Sequence, residues 1–336
     1  MRQVTEASRN VSAARLIALD WGTSSLRAML LGEGGELLDA RDAPLGIMQI
    51  GSGGFEAAYR SVVGDWIGGA GAAKLPAIAA GMVGSAQGWL EAPYCRGTAG
   101  APELAQQLAR VRLSDGTALH LVPGVSMTKP RAEVMRGEET QVVGALTLFP
   151  QLRQEALLVL PGTHSKWIRL ENGSIHECQT YMTGELFAVL RQHSILGRFA
   201  DANDPMEADE AADHAFDTGV EAARGSVNGI APLLFSARAK VLLGQLPRSA
   251  SLAYLSGLLI GDELRSAFGV SVPTASLAMI GDARLCARYR RAARQFGIAD
   301  VPEIENATRA GLWAIASEAG LVRRAGASID KDFPDD

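Results

Sequence analysis

One pattern occurs twice in this chain and restricts the folds open to it. Residues 16–35 read LIALDWGTSSLRAMLLGEGG, and residues 157–173 read LLVLPGTHSKWIRLENG. Each is an apolar strand, a bend built on Gly-Thr-x-Ser, a second apolar strand carrying a basic residue, and a glycine turn. The second bend is one residue shorter. A strand–bend–strand unit that returns after about half the chain points to two related domains facing each other. The length agrees, since 336 residues exceed what one hydrophobic core usually holds.

Around these two beginnings, helical and strand-like periodicities alternate. Strands are expected over 15–20, 26–31 and 36–41, an antiparallel start joined by tight turns. Helices follow over 54–68, 102–112 and 137–148, with strands over 76–80 and 119–124. In the second half, 184–197 is amphipathic and helical, and helices are expected over 219–230, 231–243, 250–268 and 306–320. Residues 275–297 read as strand, glycine turn and helix. The domain limits implied are 15–148 and 149–322, with a loose polar tail at 1–14 and an acidic tail at 323–336. The acid-rich stretch 201–217 reads as a solvated loop and helix start, because its acids lack a Ca²⁺-loop pattern.

Composition narrows the classes of function. The formal net charge of −5 leaves no electrostatic footprint for nucleic acid or an anionic membrane. No apolar run reaches the length of a membrane span. The three cysteines (Cys95, Cys178, Cys286) are far apart and lack metal-ligand spacing, which suits a reducing cytoplasm.

The first bend has the chemistry of a phosphate site. Gly22, Thr23 and Ser24 offer backbone N–H groups and hydroxyls that converge on an anion. Asp20, being acceptor-only, would repel phosphate unless a divalent cation lay between them, and Mg²⁺ binds through one or two carboxylates, waters and phosphate oxygens. A polar hairpin turn is the plain alternative. The second bend has Gly162, Thr163 and Ser165, no matching acid, and Lys166 instead, so it would supply neutral or positive donors to a transferring phosphoryl group. His164 reads as a hydrogen-bonded turn residue. VMRGEETQ (134–141) puts Glu138 and Glu139 at a helix start, where one acid complements the helix dipole and the other is a candidate general base. Arg136 either pairs with one of them or grips an anionic substrate, with Arg27 and Lys166 as further candidate cations. AAGMVGSAQGW (79–89) ends a buried strand in a glycine-rich polar loop containing Gln87, a natural place for a ligand or for tight packing. LSGLLIGDEL (255–264) has small residues on an apolar helix, the mark of close helix packing.

These phrases resemble a known family. ALDWGTSSLRAML is similar to the phosphate-1 element of the actin-like, sugar-kinase and Hsp70 superfamily, LPGTHSKWI to phosphate-2, and AMIGDARLCARY to the adenosine element. More narrowly, AAGMVGSAQGW, VMRGEETQ, PGTHSKW, YMTGELFAVLRQHSILG and LSGLLIGDEL, in this order, resemble the 2-dehydro-3-deoxygalactonokinase family over about residues 15–320. The resemblance implies an α/β protein of two ribonuclease-H-like, actin-like ATPase domains. Each would be a mixed sheet with flanking helices, and a cleft between them would close on ATP and a sugar acid. It implies transfer of the γ-phosphoryl group of ATP to the terminal hydroxyl of 2-dehydro-3-deoxy-D-galactonate. Asp20 would organise Mg²⁺, Gly22, Thr23, Ser24, Gly162, Thr163 and Ser165 would face the phosphates, and Gly281 would lie near the adenosine. A homodimer is compatible with it.

Two departures matter. Related sugar kinases carry a catalytic Asp where this chain offers Glu138 and Glu139, and Gly281 is followed by Asp282 rather than a second small residue. Competing readings are a kinase for the gluco epimer, a nucleotide-switch ATPase of the actin or Hsp70 kind, and a serine hydrolase using Ser165 and His164. The last lacks a nucleophile-elbow pattern.

Overall fold

The computed structural model describes residues 13–67, 74–199, 210–269 and 276–323. Residues up to Gln154, Glu171–His176 and those from Asn306 onward form one compact unit, and Glu155–Leu170 with Glu177–Glu305 form the other. Most of both expected tails, and 201–209 of the acid-rich stretch, lie outside the described residues. Ala14 is buried in the first core rather than part of a loose tail.

In chain order, the first unit holds β1 (Leu16–Trp21), β2 (Leu26–Leu31), β3 (Leu37–Ala43), α1 (Phe55–Ile67), β4 (Ala77–Ala80) and β5 (Tyr94–Arg96). It continues with α2 (Ala101–Gln106), β6 (Ala109–Arg112), β7 (Ala118–Leu121), β8 (Gly124–Met127), β9 (Glu133–Met135) and α3 (Glu138–Leu148). Six strands make one sheet in the order β3-β2-β1-β4-β7-β6, and β5-β8-β9 make a small second one. β1 runs antiparallel to β2 and parallel to β4, and β4 runs parallel to β7. β1 is buried throughout except at Asp20, as expected of a central strand covered on both faces. Phe55, Tyr59, Val62, Val63 and Trp66 recur at helical spacing along α1 and pack on the same core.

The second unit contains β10 (Glu155–Leu160), β11 (Ser165–Glu171), β12 (Ser174–Tyr181), α4 (Thr183–His193), α5 (Glu210–Arg224), α6 (Ser251–Phe268), β13 (Ser276–Met279) and α7 (Ala283–Gln295). Its sheet has the order β12-β11-β10-β13, with β10 parallel to β13. That order repeats β3-β2-β1-β4, so both bends connect equivalent strands. α6 is buried on nearly every side. Its small residues admit α5: a Cβ added at Gly257 would lie 2.1 Å from the Phe216 carbonyl oxygen.

Three expectations change. The helix expected over 102–112 stops at Gln106, and Ala109–Arg112 becomes a strand antiparallel to β7 because edge pairing overrides local helix propensity. The helix expected over 219–230 lies earlier, at Glu210–Arg224. The final helix, α8 (Ala307–Glu318), belongs to the first unit although it follows the second in sequence. α8 and α3 touch backbone to backbone: a Cβ at Gly144 would sit 1.8 Å from the Ala307 oxygen, and one at Gly311 1.9 Å from the Thr140 oxygen. Among the described residues no helix is long and apolar enough to cross a membrane, and the three cysteines are free and buried.

Candidate active site

The first bend is held from behind and open in front. Gly22 N–H donates to the Ser25 oxygen at 3.0 Å, which closes the turn, while Ile47 N–H and Met48 N–H donate to the oxygens of Gly22 (3.0 Å) and Thr23 (3.2 Å). Trp21 Nε1 donates to the Leu45 oxygen at 2.7 Å, and its ring meets Phe55 and Trp89 at 5.8 and 6.0 Å. Trp89 thereby fastens the loop after β4 to the bend. The Thr23 and Ser24 side chains are exposed. Among the described residues a Cβ at Gly22 would meet only the Ser25 oxygen, at 3.8 Å, so there is room at this position.

Asp20 stands opposite Arg27 in the β1–β2 register, and Arg27 stands opposite Asp42. Arg27 pairs with Asp42 at 2.8 Å, with side chains 60% and 69% accessible. Burial raises the Asp20 pKa, and the nearby Arg27 charge opposes that rise. No donor among the described residues hydrogen-bonds its carboxylate. One desolvated, unengaged carboxylate beside exposed hydroxyls suits Mg²⁺, which needs few protein ligands when phosphate and water complete its shell. Among the described residues no group of three or more His, Cys, Asp or Glu forms a metal cluster.

Two glycines bring a second set of side chains to this strand end. Gly81 (φ +97°) follows β4, and a Cβ there would lie 2.8 Å from the Trp21 oxygen. Gly137 (φ +109°) precedes α3, and a Cβ there would lie 3.4 Å from the Gly81 Cα. Side-chain-bearing residues rarely adopt either backbone conformation, so glycine is required at both positions. The end of β1, the end of β4 and the β9–α3 corner therefore stack against one another.

That corner separates its two acids. Glu139 is 0% exposed; Gly137 N–H donates to one of its oxygens at 2.7 Å and the Thr140 hydroxyl to the other at 3.0 Å. Burial, reinforced by the Glu138 charge, pushes its pKa up to about 7. Glu138 is only half-buried, and Arg136 N–H donates to one of its oxygens at 3.0 Å. Only Glu138 is therefore accessible to a substrate. The Arg136 guanidinium lies 4.4 Å from the Tyr94 ring centre and donates through Nη2 to the Ala92 oxygen at 2.9 Å. Among the described residues its buried Nε and Nη1 have no acceptor, and no carboxylate pairs with it. Gln87 is exposed on the loop after β4.

The second bend differs in the direction its side chains take. Ser165 is fully buried, 2.8 Å from the Tyr289 hydroxyl, and its Oγ accepts from Gly162 N–H at 3.4 Å. Lys166 is 6% exposed and donates to the Thr180 hydroxyl at 2.8 Å. Both were expected to face a phosphoryl group; β11 begins at Ser165, and the strand carries both side chains into the protein. His164 pairs with Glu185, as a turn residue would. Thr163 remains exposed, and a Cβ at Gly162 would meet nothing closer than 4.0 Å. Gly281 lies beside this bend, its added Cβ 3.2 Å from the Pro161 oxygen. Asp282 is a helix cap: its Oδ1 accepts from the N–H groups of Arg284 and Leu285 at 3.0 and 3.1 Å.

Sequence reasoning missed Trp89, Thr183, Glu263 and Tyr289. Glu263 alone left a signal, an acid inside the apolar run LSGLLIGDEL.

Residues 20–315 match the pattern of the 2-keto-3-deoxy-galactonokinase family. The 2-dehydro-3-deoxygalactonokinase of Escherichia coli strain K12 is 36% identical over 307 residues, 90% of this chain and 98% of that protein. A crystal structure from Sinorhizobium meliloti, described under the same enzyme name, is 34% identical with a TM-score of 0.80 and covers 90% of this chain and 98% of its own.

Proposed function

This chain belongs to the 2-keto-3-deoxy-galactonokinase family, and we propose that it moves the γ-phosphoryl group of ATP to the terminal (6-) hydroxyl of 2-dehydro-3-deoxy-D-galactonate. The reaction serves D-galactonate catabolism in the cytoplasm, a placement supported by three free cysteines. The observation that carries this reading is the stacking of Gly81 between Trp21 and Gly137, which joins the Asp20 strand end to the Arg136–Glu138 corner.

In the proposed step, the sugar hydroxyl oxygen bonds to the γ-phosphorus, the bond from phosphorus to the bridging oxygen breaks, and ADP leaves. Glu138, half-buried with one oxygen unengaged, takes the hydroxyl proton. Arg136 has two nitrogens, Nε and Nη1, without acceptors among the described residues, and its charge draws the sugar-acid carboxylate to the corner. Gly22, Thr23 and Ser24, with the Gly162–Thr163 backbone, hold the phosphates through N–H groups and hydroxyls, and Gly281 lies near the adenosine. Asp20 would hold Mg²⁺, and the chemistry that ion would supply is neutralisation of the β- and γ-phosphate charge.

An ADP-release assay over a panel of 2-keto-3-deoxy sugar acids tests this. Release should require a sugar acid and be fastest with the galacto epimer. ATP turnover that ignores sugar acid would point to a switch ATPase, and faster release with a neutral sugar would reject the substrate.

A further inference from the structure

Beneath the second bend lies a carboxylate that the phosphoryl-transfer chemistry does not use. Glu263, on α6, is 2% exposed. Its Oε1 accepts from Trp167 Nε1 on β11 at 2.7 Å. Its Oε2 accepts from the Tyr289 hydroxyl on α7 at 2.7 Å and from the Thr183 hydroxyl at the start of α4. No Lys or Arg among the described residues pairs with it. A buried carboxylate without a counter-charge is costly to maintain, and here three neutral donors from three other elements offset that cost.

The proton directions follow from counting donors. Tyr289 has one hydroxyl proton and gives it to Glu263, so the Ser165 hydroxyl must donate to Tyr289. The Ser165 oxygen is then oriented to accept from Gly162 N–H. A chain of donation runs one way, from the bend backbone through Ser165 and Tyr289 to Glu263. A second tie runs through Thr183. The next residue, Gly184, packs so closely that a Cβ there would lie 2.5 Å from the Gly162 oxygen, and Glu185 N–H donates to the Thr163 oxygen at 3.0 Å. Glu263 thus fixes the bend from beneath and from its flank.

We propose that Glu263, acting through Tyr289 and Ser165, is a positioning residue that sets the backbone of the Gly162–Thr163 bend for ATP binding. The proposal rests on the reading that this bend holds nucleotide phosphate. An all-acceptor group is required at the end of the chain. A glutamine would turn one donor toward donors, reverse Tyr289 and Ser165, and set the Ser165 proton against Gly162 N–H.

The test compares Tyr289→Phe, which removes the link and keeps the ring, with Glu263→Gln, which keeps the shape and reverses the polarity. ATP binding is measured by calorimetry without sugar acid, and KM values for ATP and for sugar acid are measured separately. Both variants should weaken ATP binding and raise the ATP KM roughly tenfold, with the sugar-acid KM within about twofold of wild type; tenfold corresponds to about 1.4 kcal/mol, an ordinary loss for one buried hydrogen bond. Unchanged ATP binding in a folded Tyr289→Phe protein overturns the proposal, as does an equal rise in both KM values. Because ATP binding is read without the acceptor, a wrong sugar-acid assignment would leave the binding result intact and would show only in the turnover assay. Should Glu263→Gln fail to fold, Tyr289→Phe decides the matter alone.

Discussion

Replacing Glu139 by glutamine should remove a pH dependence of stability that the wild-type protein carries. The Glu139 carboxyl has a folded pKa of about 7 against an ordinary value of 4.5, because it is buried beside Glu138. Between those values the native protein retains a proton that the unfolded chain has released. Unfolding therefore releases a proton, and stability falls as pH rises through the window, then levels off above pH 7. The gap of 7 − 4.5, or 2.5 units, corresponds to about 3 kcal/mol at 1.36 kcal/mol per unit. Glutamine keeps the volume, its oxygen can accept from Gly137 N–H, and its amide can donate to the Thr140 oxygen, so the corner keeps its geometry.

Urea unfolding of both proteins, in steps from pH 4.5 to 8.5, isolates this group, because every other titrating residue is common to both. The variant should gain on the wild type steadily up to pH 7, by about 3 kcal/mol in total, and the difference should then stay flat. Parallel curves would refute the assignment of a buried, proton-holding carboxyl at this position. The same variant should retain most of its kinase activity, since Glu139 is sealed from any substrate.

The neighbouring acid behaves oppositely: Glu138→Gln should lower kcat by about a hundredfold or more with little change in either KM, read by the ADP-release assay. Arg136→Met should raise the sugar-acid KM about tenfold while sparing the ATP KM, since it removes a charge and keeps the contact with the Tyr94 ring. Asp20→Asn should abolish turnover at ordinary Mg²⁺ concentrations, and part of it should return at high Mg²⁺ in a metal titration. Gly144→Ala should destabilise the protein by about 3 kcal/mol or prevent folding, because its Cβ would lie 1.8 Å from the Ala307 oxygen, and thermal unfolding reads this directly.

How much of this was legible in the chain depended on whether the cause was local. β1, β2, β3, α1 and the second strand set follow from apolar periodicity and glycine turns, and they occur where expected. The failures have distant causes. Ala109–Arg112 is a strand because β7 offers an edge, and α8 joins the first unit because Gly311 and Thr140 meet. Asp20, the two glutamates and the glycines of both bends stand out in the sequence because each type suits phosphate or proton chemistry at its spacing. Which glutamate is accessible could not be read, since burial of Glu139 is decided by packing around α3. Nor could the inward turn of Ser165 and Lys166, which depends on Tyr289, 124 residues on from Ser165, and on Thr180 in the neighbouring strand.

On the proposed reading, the two copies of the repeated motif do different work. Both connect equivalent strands, and the glycine of each has room beside it: a Cβ at Gly22 or Gly162 would meet no atom of the described residues within 3.5 Å. The side chains part company. In the first copy the side-chain oxygens of Asp20, Thr23 and Ser24 have no hydrogen-bond partner among the described residues, so on the proposed reading ion and phosphate chemistry falls to side chains. In the second, His164, Ser165 and Lys166 bond to Glu185, Tyr289 and Thr180, so on the same reading the backbone and Thr163 are left to meet a ligand. Side-chain substitutions in the first copy should therefore act on metal dependence and turnover. Thr163→Ala should cost little, because the N–H groups beside it survive the change. A Thr163→Ala protein with an ATP KM raised as far as that of Tyr289→Phe would show that the hydroxyl, not the oriented backbone, is what the second copy contributes.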